Sequence, residues 1–337
     1  MQITENYNLI KLNTFGISAR AKFFVEVNNE DDLRALFLLS EFKNNEKLFL
    51  GGGSNVLFTK DFDGIVILNR IKGIEIVKEE SSSVLIRAMG GEIWNDLVNF
   101  AVEREYWGIE NLALVPGTVG AAPMQNIGAY GVELKDTLES VEALDIQSGG
   151  KKIFLKDECG FGYRESIFKN KIKGQYFISA ITLRLSKIPQ KNVTYKVLKD
   201  YLEKNNIEIK KVKDVADVVS QIRRSKLPDP AVVGNAGSFF KNVFTSKEKF
   251  ESLLREFPEM PHFEEDGFIK IPAGWLIEQC GWKGKRVGNV GVHDKQALVI
   301  VNHGGATGEE IKNLASQIIT SVEDKFHLKL IPEVNFV

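Results

Sequence analysis

The sequence predicts an α+β fold with two domains, and three features of the chain support this prediction. Apolar runs of strand length alternate with a few helical stripes over the first two-thirds of the chain. The polar, basic segment Lys204–Lys213 then precedes a helix that ends at a Pro-Asp-Pro break. The apolar spacing of Glu309–Phe326 predicts a long helix before a final strand, Leu328–Val337. We therefore expect a first domain at residues 1–210 and a smaller α+β domain at residues 211–327.

The first domain begins with strand and helix signals that follow one another closely. Phe23–Val27 and Leu48–Leu50 are short apolar runs typical of buried strands, and the helical spacing near Asp31–Phe42 follows Asn29, a preferred N-cap residue. Farther along, a Ser-rich turn and a Ser-Gly-Gly turn each separate two apolar runs. These runs predict two hairpins: Ile74–Val77 with Val84–Ala88, and Val141–Ile146 with Ile153–Leu155.

Two amphipathic helices are predicted between these elements and the domain boundary. The first carries one apolar stripe and should end at Gly108, and the second should turn its apolar side inward before the Pro-Asp-Pro break. The inward residues are Ile93, Trp94, Leu97, Val98, Ala101 and Val102 in the first helix, and Val215, Val218, Val219 and Ile222 in the second.

The composition describes a globular, enzyme-sized chain. Its 337 residues are 43% apolar and 26% charged, with a net charge of −1, which does not favour nucleic acid as a partner. The first residues lack the pattern of a signal peptide, and no apolar run of about 18 residues occurs, so we expect a cytoplasmic protein without membrane insertion. Cys159 and Cys280 lack metal-binding or CxxC spacing and the histidines show no ligand-like pairing, so we expect reduced thiols and no metal site.

The uncharged loop Asn111–Gly131 is the most informative segment for function. It contains Pro116, Pro123 and several glycines, which would disrupt a membrane helix but let the backbone approach a ligand closely, with N–H groups free to donate. Gln125 and Asn126 add amide groups that suit the edge of a heteroaromatic ring. A buried structural loop explains this segment equally well when it is considered alone.

A second glycine-rich segment, Gly51–Asn55, follows a predicted strand and precedes more extended chain. The third glycine of a dinucleotide-binding fingerprint is missing, because Val56 holds its position and no helix begins there. Consecutive glycine N–H groups beside Ser54 could still hold a pyrophosphate, although a plain hairpin turn is an equally good explanation.

Three further clusters contain groups that can take part in chemistry. Arg164 stands in a turn that also contains Gly160 and Gly162, Ser238 lies among small residues and amides, and Glu333 is a carboxylate within an apolar terminal segment. Each has an ordinary structural explanation: a surface ion pair for Arg164, a turn hydroxyl for Ser238 and an edge-strand charge for Glu333.

In their order along the chain, these segments resemble the family of UDP-N-acetylenolpyruvoylglucosamine reductases. The resemblance spans nearly the whole chain, and Val193-Thr194-Tyr195 matches the type with an extra tyrosine-bearing segment. One departure is Val243, where the family usually has proline; this concerns only the stiffness of the loop. The motifs are NTFGI (Asn13–Ile17), GGGSNVLF (Gly51–Phe58), ENLALVPGTVGAAPMQNIGAYG (Glu110–Gly131), FGYRES (Phe161–Ser166), KLPDP (Lys226–Pro230), GNAGSFFKN (Gly234–Asn242), AGWLIEQCGWKG (Ala273–Gly284) and PEV (Pro332–Val334).

The resemblance implies a fold of the vanillyl-alcohol-oxidase type with FAD as the cofactor and NADPH as the reductant. Residues 1–210 would form a two-lobed FAD-binding domain, with lobes at roughly 1–70 and 71–210, and residues 211–327 a smaller substrate-binding domain. The terminal strand 328–337 is a candidate to rejoin the FAD-binding domain. The residues implied to contact FAD are Gly51, Gly52, Gly53, Ser54, Asn55, Pro116, Gly117, Gly120, Gln125, Asn126 and Gly128.

The resemblance also implies the reaction, which is the reduction of UDP-N-acetylglucosamine enolpyruvate to UDP-N-acetylmuramate for peptidoglycan. Hydride would pass from flavin N5 to the vinyl carbon, and charge would build on the resulting enolate. Arg164 would bind that enolate through a bidentate guanidinium. Glu333 would help in its protonated form, which burial in an apolar strand favours. Ser238 would then protonate the enolate carbon.

The substrate contacts implied by the resemblance are more dispersed. Arg223 and Lys226 lie one turn apart and suit a diphosphate, although a solvated basic helix end explains them as well. We expect a monomer whose partners are the UDP-sugar enolpyruvyl ether and NADPH. The residues implied to contact the substrate are Tyr130, Tyr195, Arg223, Lys226, Asn242 and Gln296.

Two alternative functions remain at this point. Another FAD oxidase or dehydrogenase of the same superfamily should consume oxygen rapidly with simple hydroxy acids, and the AGSFFKN and PEV motifs argue against it. A silent nucleotide-binding protein should have lost Arg164, Ser238 or Glu333, and all three residues are present.

Overall fold

The computed structural model of the protein describes residues 1–265 and 267–337, and it confirms the predicted α+β class. The helices are α1 (Glu30–Leu38), α2 (Ser40–Lys43), α3 (Trp94–Glu103), α4 (Lys196–Lys204), α5 (Val212–Lys226), α6 (Lys247–Glu256), α7 (Ala273–Gln279) and α8 (Gly308–Phe326). The strands are β1 (Ile3–Asn8), β2 (Arg20–Val27), β3 (Glu46–Leu50), β4 (Val56–Leu57), β5 (Phe62–Asn69), β6 (Ile74–Glu79), β7 (Ser83–Met89), β8 (Gly128–Ala129), β9 (Val132–Glu133), β10 (Leu138–Asp145), β11 (Lys151–Leu155), β12 (Tyr176–Ser186), β13 (Gly234–Ser238), β14 (Val243–Thr245), β15 (Phe263–Glu265), β16 (Phe268–Ile271), β17 (Arg286–Val287), β18 (Val290–Val292), β19 (Val299–Asn302) and β20 (Asn335–Phe336).

The first of two units comprises residues 1–7, 21–53 and 62–225 and contains two larger sheets. One sheet has the order β1-β2-β5-β3, in which β5 runs parallel to both β2 and β3, and Leu33 and Leu36 of α1 share a buried cluster with its strands. The other is antiparallel, with the order β11-β10-β12-β7-β6. The two sheets agree with the two lobes expected from the fold class.

Helix α5 belongs to this first unit. Val215 and Ile222 are buried in the same core as Ile86 of β7, so the unit extends to Ser225, beyond the boundary expected at residue 210. The polar segment before α5 resembles a linker in composition. The apolar side of the helix, however, belongs to the buried cluster that also contains residues of the antiparallel sheet.

The second unit comprises residues 8–20, 54–61 and 226–337. Its sheets have the orders β13-β19-β18-β17 and β14-β16-β15, and β20 pairs in parallel with β4. Two short N-terminal segments and the terminal strand therefore fold with the C-terminal part of the chain. The Asn302 side chain donates a hydrogen bond to the Phe15 carbonyl at 2.8 Å, and the Phe15 and Phe239 rings lie 6.2 Å apart. Such long-range contacts leave no local pattern in the sequence.

Most predicted elements form where they were expected. Both hairpins and the long helix α8 are present, and the Asn29 side chain caps α1 by accepting from the Asp32 N–H at 2.8 Å. The helix predicted near Asp31–Phe42 is interrupted at Leu39, where the backbone is extended, and it continues as α2.

Three local predictions were wrong. Ile93 was expected on the inward side of α3, but it is 49% exposed, because it is the N-cap residue and precedes the first helical turn. Gly108 does not end that helix, which stops at Glu103, and Glu105 takes the left-handed conformation with a φ of 56°. The final strand is shorter than predicted and covers only Asn335–Phe336, since the preceding residues pair with residues 239–241 through isolated backbone hydrogen bonds.

A partly buried ion-pair cluster joins strands of the antiparallel sheet. Glu142 of β10 is 7% exposed, accepts a hydrogen bond from the Arg87 guanidinium (Nη2–Oε2, 2.9 Å) and pairs with Lys151. Arg87 reaches it from β7 across β12. The hydrogen bonds from Arg87 outweigh burial and lower the pKa of Glu142. The stability that this carboxylate contributes is therefore full above its ordinary pKa and is lost as the pH falls through the lowered value.

We expect Glu142→Gln to lower the free energy of unfolding by about 1–2 kcal/mol at pH 7, because Gln keeps the shape but not the charge. The difference between wild type and variant should shrink below pH 4.5, the ordinary pKa of the carboxyl. Urea unfolding at pH 7 and pH 4 measures both effects. Glu139→Gln is the matched control, because Glu139 and Arg184 are 43% and 42% exposed and such pairs contribute little. An equal loss in both variants would contradict the buried-pair argument.

Candidate functional site

Two glycine-rich loops of the first unit pack against each other with their backbones nearly in contact. A Cβ on Gly51 would lie 2.3 Å from Thr118 Oγ1, and a Cβ on Gly52 would lie 3.0 Å from the Cα of Gly117. Gly120 is equally constrained, because its Cβ would lie 3.0 Å from the Cα of Gly90. The glycines predicted to contact a cofactor are thus required first by the packing of one loop on the other.

A cavity of about 160 Å³ opens beside these loops within the first unit. Gly51, Thr118 and Gly120 line one part of it, and the aromatic side chains of Phe168 and Tyr176 line another. The Thr118 hydroxyl is buried and has no hydrogen-bond partner among the residues that the structure describes. The cavity therefore has an apolar wall, as ligand sites commonly do, and Thr118 lines it while its hydroxyl is enclosed by protein atoms.

The end of the uncharged loop is held by the side chain of Asn126. Its amide N–H groups donate to Glu133 Oε2 at 2.9 Å and to the Gly162 carbonyl at 3.1 Å, and its oxygen accepts from the Lys135 N–H at 3.0 Å. Asn126 is fully buried and has a φ of 44°. Since both amide N–H groups are donated to protein acceptors, the side chain supports the loop. Gln125, just before it, is only half-buried.

The turn that contains Arg164 lies against the end of this loop. Gly162 and Glu165 exchange backbone hydrogen bonds at 3.1 and 3.2 Å, which places Arg164 at the tip with a φ of 56°. The Ser166 hydroxyl donates to the Met124 carbonyl at 2.7 Å, and the Arg164 guanidinium donates to the Gly128 carbonyl at 2.7 Å. The guanidinium is therefore fixed relative to the glycine-rich loop.

Four of the predicted residues come together in the first unit: Arg164, Tyr130, Tyr195 and Arg223. The Tyr130 and Tyr195 rings meet edge to face, with centroids 5.8 Å apart. Burial lowers the pKa of Arg223, the neighbouring Tyr130 opposes that shift, and the like charge of Arg164 adds to it. Burial raises the pKa of Tyr130, which keeps the phenol neutral at pH 7. Two nearby guanidinium groups create a strongly positive region that suits a carboxylate or a phosphate.

Ser238 and Glu333 come together in the second unit, although they lie far apart in the sequence. The Glu333 N–H donates to the carbonyl of Phe239, the residue after Ser238, at 2.8 Å. A bulge at Gly237, which has a φ of 68°, precedes Ser238, and the Ser238 side chain is exposed at the end of β13. Glu333 is half-buried rather than enclosed in an apolar strand. Its backbone carbonyl accepts from the Asn55 side chain at 3.4 Å.

Three other residues of the second unit that were predicted to contact ligands form hydrogen bonds to the protein backbone. Asn55 also accepts from the Asn335 N–H at 3.1 Å, so it ties the glycine-rich segment to the terminal strand. Asn242 accepts from the Ala273 N–H at 3.1 Å near the start of α7, and Gln296 accepts from the Leu298 N–H at 3.3 Å. Lys226 is exposed at the end of α5.

The remaining predicted residues lie in the two glycine-rich segments. Ser54 is half-buried in the second unit, Gly53 is buried with a φ of 62°, and Pro116 is exposed. The structure thus divides the predicted residues between its two units. Arg164, Tyr130, Tyr195 and Arg223 stand together in the first, and Ser238 and Glu333 in the second.

Sequence reasoning missed three residues of the first unit that have buried polar side-chain atoms: Thr118, Glu110 and Asn111. Glu110 accepts from the Gly108 N–H at 2.6 Å through one carboxylate oxygen, and burial raises its pKa. The other oxygen of Glu110 and the side-chain oxygen of Asn111 have no hydrogen-bond partner within residues 1–265 and 267–337. All three residues belong to motifs quoted above, but their burial is set by the tertiary structure.

Several other features bear on the class of the protein. The described part of the chain contains no group of three or more His, Cys, Asp and Glu side chains arranged to hold a metal ion. Of the helices in the described residues, none has both the length and the apolar character needed to cross a bilayer. Cys159 and Cys280 are free thiols, and burial raises the pKa of Cys159 to about 12, which makes that thiol unreactive.

Comparison with known proteins relates the two parts of the chain to one family. Residues 229–337 match the C-terminal domain of UDP-N-acetylenolpyruvoylglucosamine reductase, and residues 21–151 match an FAD binding domain. A UDP-N-acetylenolpyruvoylglucosamine reductase from Flavobacterium johnsoniae is 47% identical over 339 residues, and one from Amoebophilus asiaticus is 48% identical over 338 residues. Each alignment covers 100% of this chain and 100% of the relative.

Solved structures show a similar fold. The UDP-N-acetylenolpyruvylglucosamine reductase of Thermus caldophilus matches with a TM-score of 0.69 at 21% identity, covering 99% of this chain and 98% of that one. A solvent-stable cholesterol oxidase matches with a TM-score of 0.53 at 10% identity, covering 98% of this chain and 86% of that one. Identities this low concern the fold alone.

We expect Gly51→Ala to lower the FAD content of the purified protein, because the new methyl group would force Thr118 and its loop away from the cavity. The flavin-to-protein absorbance ratio measures this effect. Gly150→Ala is the matched control, since the nearest atom to its Cβ is the flexible Ser148 Oγ at 3.2 Å. Full FAD content in Gly51→Ala would show that the close contact of these loops is not needed for the cofactor.

Proposed function

The chain belongs to the UDP-N-acetylenolpyruvoylglucosamine reductase family, and from this premise we propose that Arg164, Ser238 and Glu333 perform its chemistry. The protein is an FAD-dependent oxidoreductase that uses NADPH to reduce UDP-N-acetylglucosamine enolpyruvate to UDP-N-acetylmuramate in peptidoglycan synthesis. The observation that carries the residue assignment is the backbone hydrogen bond from Glu333 to Phe239, which brings two distant motifs together beside Ser238.

The first unit has the features that FAD binding requires. Gly51, Gly52, Gly117 and Gly120 expose backbone along two closely packed loops, and Thr118 lines the adjoining cavity. We assign these residues to the cofactor. Bound FAD supplies the redox chemistry that amino-acid side chains lack. The buried amide of Asn126 holds the loop in place from behind.

Arg164 is the residue that we assign to the substrate carboxylate. Reduction of an unsaturated carboxylate moves electron density onto its oxygens, and a fixed guanidinium stabilises that charge in the transition state. The hydrogen bond to the Gly128 carbonyl and the turn around Arg164 fix the guanidinium before the substrate arrives. Because little rearrangement is then needed, such a donor can contribute about a hundredfold to a thousandfold in rate.

Ser238 is the proton donor in this proposal. A hydroxyl can protonate a carbanion-like carbon because that centre is strongly basic. The bulge at Gly237 turns Ser238 out of the regular strand pattern and leaves its side chain exposed, so a substrate can reach the hydroxyl.

Glu333 has the third role, which is to act on the developing enolate from beside Ser238. Its backbone is held on both sides, by Phe239 and by Asn55. These two anchors hold the backbone of Glu333 next to the Ser238 strand, which supports its assignment to the same reaction as Ser238.

The remaining residues are assigned to the substrate either on their geometry or on their motifs. We assign Tyr130, Tyr195 and Arg223 of the first unit to the sugar nucleotide, because the two rings and the buried guanidinium lie together beside Arg164. Lys226, Asn242 and Gln296 are assigned to the same ligand on their motifs alone. We further propose a cytoplasmic monomer, since both substrates are soluble nucleotides and both cysteines are free thiols. Size-exclusion chromatography with light scattering tests the monomer.

The proposed roles predict that Ser238→Ala separates the two half-reactions. NADPH should bleach the flavin of the variant within about twofold of the wild-type rate, whereas recovery of the flavin absorbance after adding the enolpyruvyl substrate should slow by about 10²–10⁴-fold. Anaerobic stopped-flow absorbance measures both steps. Ser316→Ala is a matched control at an exposed serine of α8.

Each contrary result has a distinct meaning. Equal slowing of both half-reactions in Ser238→Ala would show that the serine holds structure and is not the acid. A wild-type flavin that stays reduced after the substrate is added would contradict the reductase function itself.

A further inference from the structure

Asn111 is a buried amide with no role in the reaction described above. It lies in the 3₁₀ turn Glu110–Leu112 of the first unit and is fully buried. Its side-chain NH₂ donates to the carbonyl of Tyr130 at 3.0 Å and to the carbonyl of Asn192 at 2.8 Å. One side chain therefore ties together two segments that are far apart in the sequence.

The chemistry of these two contacts fixes the orientation of the amide. Both acceptors are carbonyl oxygens, so only the NH₂ group can face them, and the reversed amide would place three oxygen atoms together. The Asn111 Oδ1 atom has no hydrogen-bond partner in the part of the chain that the structure describes. Burial of this oxygen is unfavourable, and the two hydrogen bonds on the opposite side offset it.

The Tyr130 carbonyl belongs to a strained turn. Tyr130 has a φ of 49° and Gly131 a φ of 82°, and together they connect β8 to β9. Two successive positive φ angles are the pattern of a type I′ turn, in which Asn-Gly is preferred and an aromatic first residue is strained. The hydrogen bond from Asn111 stabilises the carbonyl of that strained residue.

The Asn192 carbonyl belongs to the segment that contains the second tyrosine. Tyr195 follows three residues later and is the N-cap residue of α4. Its ring lies edge to face with that of Tyr130 at 5.8 Å, and a Cβ on Gly131 would lie 3.6 Å from the Tyr195 Cβ. The turn and the start of α4 are thus packed on each other, with the Asn111 amide hydrogen-bonded to the backbone on both sides.

We propose that Asn111 is a positioning residue that sets the spacing of Tyr130 and Tyr195, and thereby the affinity for the sugar-nucleotide substrate. The identity of that substrate rests on the proposed function, whereas the tie between the two segments does not. Asn111 itself contacts neither reacting group.

The structural part of this proposal is tested by hydrogen–deuterium exchange of the FAD-loaded protein. Asn111→Ala should increase amide exchange in residues 129–132 and in residues 190–196, because both backbones lose their shared donor. Asn95→Ala is the matched control. Its amide accepts from the Leu114 N–H at 2.7 Å and so holds the same loop to α3 without touching either tyrosine segment. Unchanged exchange in both segments, or the same increase in Asn95→Ala, would overturn the tie.

The functional part is tested by steady-state kinetics on the same proteins. Asn111→Ala should raise KM for the enolpyruvyl substrate about tenfold and change kcat less than about threefold, which is the signature of lost uniform binding. FAD content should match that of the wild type. An unchanged KM in a variant with increased exchange would show that the spacing of the tyrosines does not set affinity.

A second variant and the activity of the wild-type protein keep the structural and functional parts of the proposal separately testable. If Asn111→Ala does not fold, Asn111→Ser retains one donor, and we expect both effects at smaller size. A wild-type protein that does not reduce the enolpyruvyl substrate would contradict the proposed function, and the exchange result would still decide whether Asn111 ties the two segments.

Discussion

The close contact between glycine backbones is the constraint on which the rest of the first unit depends. Gly52 packs on Gly117 and Gly120 packs on Gly90, each at a distance that leaves no room for a side chain. The Gly120 N–H also donates to the Gly90 carbonyl at 2.8 Å, so hydrogen bonding and packing act together. Three loops from distant parts of the chain are fixed by this arrangement. Two of them, the loops of Gly51 and Gly120, line the cavity beside Thr118.

Side-chain amides then hold the loops that the glycines bring together. Asn126 and Asn111 each use both of their N–H groups on protein acceptors, and the Asn95 side chain accepts from the Leu114 N–H. Loops have few backbone partners of their own, so buried amides replace the hydrogen bonds that a helix or sheet would provide. The polar residues of this region therefore serve rigidity as much as recognition.

Local patterns in the sequence predicted most of the elements and the glycine-rich loops, because helix periodicity, N-caps and turn residues act over a few neighbours. Motif resemblance is the basis on which Arg164, Ser238 and Glu333 are proposed, because no local pattern distinguishes them from surface residues. The grouping of residues 8–20 and 54–61 with the C-terminal part was not predictable in this way, since it depends on long-range contacts: the Asn302–Phe15 hydrogen bond for the first segment and the pairing of β4 with β20 for the second. The sequence predicts that the Asn126 amide contacts a ligand, because its protein acceptors are not visible in the sequence. Glu133 and Gly162 are brought to it only by the tertiary structure.

Part of the backbone strain in the first unit lies in the uncharged loop and the Arg164 turn. Leu114, Asn126, Tyr130 and Arg164 all have positive φ angles, and each such residue is destabilised by roughly 1–3 kcal/mol. Every one of them is involved in a specific hydrogen bond: Leu114 with Asn95, Asn126 with Glu133, Tyr130 with Asn111, and Arg164 with Gly128. A hydrogen bond contributes about 0.5–1.5 kcal/mol, so these bonds offset part of the strain. The side chains are therefore positioned before any ligand binds. Because the strain is present already in the folded protein, it does not reduce the binding energy available at the site.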